Sequence, residues 1–131
     1  MAFYAQLSRN VNLASYQTVE YDIVKTDIGN SYNPQHGIFT APVKGVYLFS
    51  ASICTTPDNA VHLNMVKNGN IVAYLYSYNN GWDLGSQTVV LELTKGVEVW
   101  RKHDPKYDQA GKSTLASYFN SFSGVLLHQI N

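Results

Sequence analysis

Strict alternation of apolar and polar residues constrains this chain more than any other feature. In "AFYAQLS" the residues Phe3, Ala5 and Leu7 share one face, and "QTVVLELTK" shows the same alternation at Val89 and Leu91. A period of two is that of a β-strand with one buried face. The same period recurs in four further segments, namely 45–54, 60–68, 97–102 and 115–129. The sequence therefore predicts an all-β fold.

Turn residues separate these segments at short intervals. Asn68-Gly69 predicts a tight hairpin, because both residues tolerate positive φ. Asn33-Pro34, Gly37, 79–81 and 94–96 are further breaks. With eight to ten strands, short loops and no helix long enough to cover a sheet, the 131 residues predict one β-sandwich or jelly-roll domain over 1–131.

Charge and composition exclude several functions. Nine basic residues balance nine acidic ones, so we expect no nucleic-acid partner. No apolar run reaches 18 residues and no signal peptide opens the chain, so we expect no membrane insertion. The single cysteine, Cys54, is predicted to be a buried hydrophobe. Catalytic motifs and metal-ligand histidine spacings are missing, which predicts a non-enzymatic protein.

A spaced signature runs through the first half of the chain and returns at its end. Its positions are Asp27, Tyr32, Phe39, Gly45, Tyr47 and Phe49, followed by "TVVLELTKGVEVW" and by Ser123, Gly124, Leu126 and Leu127 in "NSFSGVLLH". In this order and spacing the chain resembles the globular head domain of complement C1q. The matches extend over nearly the whole chain.

The resemblance implies a ten-stranded jelly roll of the tumour necrosis factor-like superfamily. It further implies a compact homotrimer with aromatic and aliphatic side chains packed along the threefold axis. This chain contains no collagen stalk or coiled coil, so we expect the heads alone to hold the trimer. Single-head proteins of this kind in invertebrates are secreted, lectin-like receptors of innate immunity.

Tyrosines stand at every second position of "VAYLYSYNNGW", at Tyr74, Tyr76 and Tyr78. Three interpretations are open for this stripe. Packing inside the sandwich is favoured for Tyr74 and Tyr76, burial in the trimer interface is the next alternative, and ligand stacking is the third. Tyr78, beside the following loop, is the tyrosine most suited to touch a ligand.

The loop at residues 78–85 is the best exposed ligand-binding candidate. An aromatic face with amide and carboxylate groups suits a sugar, although turn chemistry alone also explains its composition. The residues concerned are Tyr78, Asn79, Asn80, Trp82 and Asp83. Some family members hold calcium here, but only Asp83 keeps an acid and Leu75 stands where the other would be. One carboxylate per subunit argues against a tight site.

The segment 101–112 is the most charged stretch and could receive a carboxylate or phosphate. Its candidate ligand-binding residues are Arg101, Lys102, His103, Lys106, Tyr107 and Asp108. Asp104 and Asp108 interrupt the positive patch, so a solvated loop is the favoured alternative.

Two functions remain open from the sequence. The first is a soluble pattern-recognition module that binds carbohydrate or microbial surfaces through the loops of a homotrimer. The second is a cytokine-like or structural trimer that binds a protein receptor or matrix partner. Fold alone does not choose between them.

Overall fold

The period-two segments form the strands of the domain. In a computed structural model, which describes residues 1–78, 84–107 and 113–131, two short 3-10 helices accompany them at Pro105–Tyr107 and Ser117–Phe119. The strands are β1 (Ala2–Gln6), β2 (Val11–Asn12), β3 (Ile23–Ile28), β4 (Tyr32–Asn33), β5 (Ile38–Thr40), β6 (Gly45–Ile53), β7 (Ala60–Lys67), β8 (Asn70–Tyr78), β9 (Gly85–Leu93), β10 (Glu98–His103), β11 (Thr114–Leu115) and β12 (Ser121–Gln129).

Ten of these strands form two five-stranded antiparallel sheets. The first sheet has the order β3-β1-β12-β6-β9, and the second has the order β4-β5-β10-β7-β8. The short strands β2 and β11 pair separately. Because sequence neighbours repeatedly cross between the sheets, the topology is a jelly roll. The predicted ten-stranded β-sandwich is confirmed.

Aromatic side chains fill the space between the sheets. Phe3 lies with its ring centroid 5.5 Å from that of Phe39, and Phe39 lies 5.2 Å from Phe49. Gly124 of β12 faces this cluster, where an added Cβ would come within 2.6 Å of the Phe3 ring and 2.9 Å of the Phe49 ring. The face that the alternation predicts for Phe3 and Ala5 in β1 is the inner one, and every second residue of β6 is buried in the same way.

The hairpin between β7 and β8 follows the prediction. Asn68 has φ 46° and Gly69 has φ 90°, the two positive values that a tight turn of this kind requires. One register shift near Met65 interrupts the pairing of the two strands. Strict alternation predicts that Ile71 shares a face with Ala73, opposite the tyrosines. That prediction is wrong, because the irregularity turns Ile71 outward and leaves it 47% exposed while Ala73 is buried.

The tyrosine stripe of β8 points away from the core. Tyr74, Tyr76 and Tyr78 are 59%, 49% and 41% exposed, whereas the alternate residues Leu75 and Ser77 are buried. Sandwich packing of Tyr74 and Tyr76 is therefore wrong. Small and aliphatic side chains form the inner face of this edge strand, and the tyrosine rings therefore lie on its outer face.

Candidate functional site

The outer face of β7, β8 and β10 collects aromatic and polar side chains in two rows. Lys102 pairs with Asn64 across β10 and β7, and Asn64 pairs with Tyr74 across β7 and β8. In the next row His62 pairs with Tyr76. We call the surface formed by His62, Asn64, Tyr74, Tyr76 and Tyr78 the tyrosine face.

The rings of the tyrosine face support one another. The imidazole of His62 stacks on Tyr74 with centroids 5.9 Å apart and planes at 25°. The same imidazole meets Tyr76 nearly edge-on, at 6.4 Å and 73°. His62 is buried beneath the two tyrosines, which remain half exposed. Because a buried ring backs them, the tyrosines offer preorganised flat surfaces to solvent.

A carboxylate lies beside these rings. Asp104, just after β10, donates its backbone N–H to the His62 carbonyl over 2.8 Å. Its side chain accepts hydrogen bonds from Lys106 N–H at 3.1 Å and Asn64 Nδ2 at 3.2 Å. Burial acts to raise the pKa of Asp104, but these hydrogen bonds and the charges of His62 and Lys106 outweigh it, and the pKa falls below its ordinary value. Asp104 is therefore a fixed, ionised acceptor at neutral pH.

Together these groups border a cavity of about 550 Å³. Its lining consists of His62, Ile71, Tyr74, Asp104 and Lys106. The cavity thus offers an aromatic face, an apolar side chain, a carboxylate acceptor and an ammonium donor. Few polar groups converging on a concave, partly apolar surface are typical of a small-molecule site.

Several predicted ligand-binding residues belong to this region. Lys102 points outward, with Nζ 5.4 Å from the centroid of the Tyr16 ring. Lys106 is exposed at the cavity, and Tyr78 is exposed at the end of β8. No role in ligand binding was predicted from the sequence for His62, Asn64 or Asp104. The alternation in β7 puts His62 and Asn64 on the face opposite the core. It was the sequence signal that could have identified these two residues.

Two predicted surface residues lie inside the domain instead. Arg101 is 0% exposed and His103 is 2% exposed, because the alternation of β10 puts both on the face of the buried Val99. His103 Nδ1 lies 2.7 Å from the carbonyl oxygen of Ala14. The prediction that Arg101 and His103 receive a ligand at the surface is therefore wrong.

Other predictions fall outside the described residues. They concern Asn79, Asn80, Trp82, Asp83 and Asp108, together with the side chain of Tyr107. Over 1–78, 84–107 and 113–131, no three His, Cys, Asp or Glu side chains form a group that could hold a metal ion. Leu75, which stands where a second calcium acid would be, is buried.

A second surface lies on the outer face of the first sheet. Val90 and Leu127 are 59% and 55% exposed there, and Tyr4 is 37% exposed. Small hydroxyl residues surround them, with Ser50 and Thr88 joined at 3.1 Å and Ser52 and Ser121 at 2.7 Å. Exposed apolar side chains of this kind are typical of a surface that another chain covers.

Comparisons with known proteins agree with this fold. The C1q domain family model matches residues 2–127. Complement C1q tumor necrosis factor-related protein 3 of Mus musculus is 33% identical over 135 residues, covering 98% of this chain. The chain spans 52% of that relative's length.

Solved structures show the same architecture. The globular domain of zebrafish complement 1qA protein superposes with a TM-score of 0.81 at 20% identity, covering 98% of both chains. The Eiger TNF of S. frugiperda gives 0.70 at 12% identity, covering 100% of this chain and 92% of the other.

Within the described ranges, no helix has the length and apolarity needed to cross a bilayer. C1q and tumour necrosis factor-like domains are non-enzymatic modules that assemble as trimers. The match over 2–127 and the identity to the mouse relative show that this chain belongs to the C1q domain family.

Proposed function

We propose that this chain is a secreted, homotrimeric pattern-recognition module that binds carbohydrate on microbial surfaces through the tyrosine face. The observation that carries the proposal is the exposure of Tyr74 and Tyr76, together with a cavity that Tyr74 borders with Asp104 and Lys106. Rings at such exposure lie outside the core and leave half of their surface to solvent.

The chemistry of this face suits a sugar. A tyrosine ring offers a flat, polarisable surface to the C–H groups of a pyranose, and its hydroxyl stays in water. Asp104 accepts hydrogen bonds from sugar hydroxyls, and Lys106 donates them. The balanced net charge supplies no field for a polyanion, so recognition rests on these local contacts.

Three copies of a weak site make a useful receptor. A second binding event on the same surface is effectively intramolecular, which multiplies affinity by about 10² to 10⁴ when the geometry permits. We assign the subunit contact to the outer face of the first sheet, where Val90 and Leu127 are exposed. The tyrosine face lies on the other sheet. Tyr74 and Tyr76 then serve the ligand, in place of the trimer interface that the sequence suggested.

Glycan binding tests the proposal directly. The trimer is applied to an array of microbial and host glycans, and positive ligands are titrated by calorimetry with and without calcium. We expect Tyr74→Ala and Tyr76→Ala to lower affinity at least tenfold, because stacking area is lost. Tyr118→Ala, an equally exposed ring in the second 3-10 helix, is the control and retains binding. Absence of any glycan signal, with or without calcium, contradicts the proposal.

The loop after β8 extends the proposed site. Tyr78 ends the stripe, and we retain from the sequence Asn79, Asn80, Trp82 and Asp83 as further ligand contacts. Trp82→Ala and Asp83→Asn test this extension in the same titrations. Loss of calcium dependence in Asp83→Asn alone would assign a metal to the loop.

A protein partner is the second candidate function. Exposed tyrosines beside Ile71 also have the composition of a protein interface. In that case a discrete extracellular protein is captured by the trimer, and free sugar does not compete with it. Capture abolished by Tyr74→Ala but unaffected by every array-positive glycan would favour this alternative.

A further inference from the structure

The guanidinium of Arg101 is enclosed in the sandwich, and no described residue forms a hydrogen bond of normal geometry with it. The residue is 0% exposed, and Nε, Nη1 and Nη2 are all buried and unsatisfied. Its position on β10, opposite the buried Met65 of β7, puts the side chain between the two sheets. Buried polar atoms normally find partners, so three unpartnered nitrogens on one cation call for an explanation.

A second donor lies next to it. The Tyr21 hydroxyl is fully buried and has no hydrogen-bond partner. Burial lowers the pKa of Arg101, whereas electrostatic attraction and a side-chain hydrogen-bonding contact with Tyr21 oppose that change. The two groups therefore lie close together, although their contact falls short of the geometry of a normal hydrogen bond. Of the carboxylates in the described ranges, none contributes to the pKa of Arg101.

The chain cannot remove this charge by titration. An arginine side chain stays protonated in proteins, and it presents five N–H donors and no acceptor. Burial raises the pKa of Tyr21, so the phenol stays neutral and is itself a donor. A buried water would satisfy hydrogen bonds but would leave the charge uncompensated. What residues 1–78, 84–107 and 113–131 do not supply to this site is a negatively charged acceptor.

We propose that Arg101 and Tyr21 form an internal binding site for a small monovalent anion of the halide class, between the two sheets. One positive charge matches one negative charge, and the guanidinium and phenol donors supply the contacts that an anion needs. Larger, multiply charged oxyanions would leave excess negative charge in the core. The site is separate from the tyrosine face, since Arg101 points inward and the tyrosines point outward.

Anion-dependent stability tests the site. Melting temperature is measured for the full chain at fixed protein concentration in sodium chloride, bromide or gluconate at matched ionic strength. Ligand binding to the folded state raises the melting temperature with the logarithm of ligand concentration, so we expect a rise of about 5 to 10 °C between 1 and 100 mM chloride. Bromide should substitute for chloride and give an anomalous diffraction peak beside Arg101. Equal melting temperatures in chloride and gluconate would overturn the proposal.

Two variants and a control assign the effect to these residues. Arg101→Met removes the charge and should abolish the dependence on halide, whatever it does to stability itself. Tyr21→Phe removes one donor and should weaken halide affinity about tenfold. Arg9→Met, which changes an exposed arginine, should retain the full dependence. Undiminished halide dependence in both Tyr21→Phe and Arg101→Met would refute the assignment. If Arg101→Met does not fold, Tyr21→Phe and the bromide peak decide.

Discussion

Asn64 Nδ2 donates a hydrogen bond to Asp104 Oδ2 over 3.2 Å and so ties the segment after β10 to the outer face of β7. The bond joins the polar edge of the cavity to the strand that carries the stacked imidazole of His62. The aromatic and charged halves of the proposed site are therefore one mechanical unit, although they come from residues 40 apart in sequence.

We expect removal of this connection to weaken ligand binding. Asp104→Ala leaves Asn64 Nδ2 and Lys106 N–H without their acceptor, and it removes the carboxylate that would bind sugar hydroxyls. Affinity for an array-positive glycan should fall about tenfold or more by calorimetry, and the free energy of unfolding should fall by about 1 to 2 kcal/mol, because the buried amide of Asn64 loses its acceptor. Asp58→Asn, at an exposed turn position just before β7, is the control. Unchanged affinity in Asp104→Ala would exclude this carboxylate from the site.

The strands were predictable from the sequence because alternation reports directly on a sheet with one buried face. The hairpin turn at Asn68-Gly69 was equally predictable, since few residue pairs adopt a positive φ at both positions. The direction of the tyrosine stripe was not predictable in the same way. Alternation in β8 shows that the tyrosines share a face, but both faces of this strand carry apolar groups. The pairing register with β7, which puts Ala73 opposite Met65 and Leu75 opposite Leu63, decides which face is inner.

The prediction that Arg101 and His103 lie at the surface was wrong for another reason. Charge suggested a surface loop, while the period of β10 put both residues on the face of Val99. The structure follows the period, because turning one residue over would move the whole strand to its other face. A cation at an inward position was thus the informative exception, and it marks the buried site proposed here.

Asn120 is a position at which we expect substitution to destabilise the fold strongly. Its buried amide accepts a hydrogen bond from Cys54 N–H at 3.0 Å and donates to the Cys54 and Ala116 carbonyls at 2.9 and 3.0 Å. Asn120→Ala removes three buried hydrogen bonds at once, although the Cys54 and Ala116 carbonyls keep the N–H groups of Ala116 and Phe119 as donors, so we expect a loss of about 2 to 4 kcal/mol in the free energy of unfolding. Urea denaturation measures it. Asn70→Ala, at an exposed position, should change stability by less than about 0.5 kcal/mol. A similarly small loss in Asn120→Ala would contradict this role.

Asp22 should make stability depend on pH in the acid range. Burial acts to raise its pKa, but hydrogen bonds from the Ser8 hydroxyl and Ser8 N–H, with the charge of Arg9, bring the pKa below the ordinary value of 3.8. A carboxyl whose pKa is lower when folded contributes stability above its unfolded pKa and loses it as pH falls through the folded value.

The stability difference between the wild type and Asp22→Asn should therefore be constant above about pH 5 and shrink below about pH 4. Urea denaturation at several pH values measures it. Ser8→Ala removes one of the donors and should reduce both the difference and its slope. A difference that stays constant down to about pH 2.5 would show that the Ser8–Asp22 pair does not influence folding.

The last prediction concerns valency. Val90 and Leu127 are exposed in the single chain, so Val90→Arg and Leu127→Arg should leave the fold intact while placing charge in the proposed subunit contact. Sedimentation at micromolar concentration should then show a single folded protomer where the wild type shows a trimer. Gln35→Arg adds the same charge in an exposed turn and should leave the trimer unchanged. Binding to a glycan-coated surface should fall by about 10² or more in the protomer, while affinity for soluble monovalent sugar stays constant, because only the effective concentration of neighbouring sites is lost. An undiminished surface affinity in a proven protomer would mean that one tyrosine face suffices, and the trimer would need another explanation.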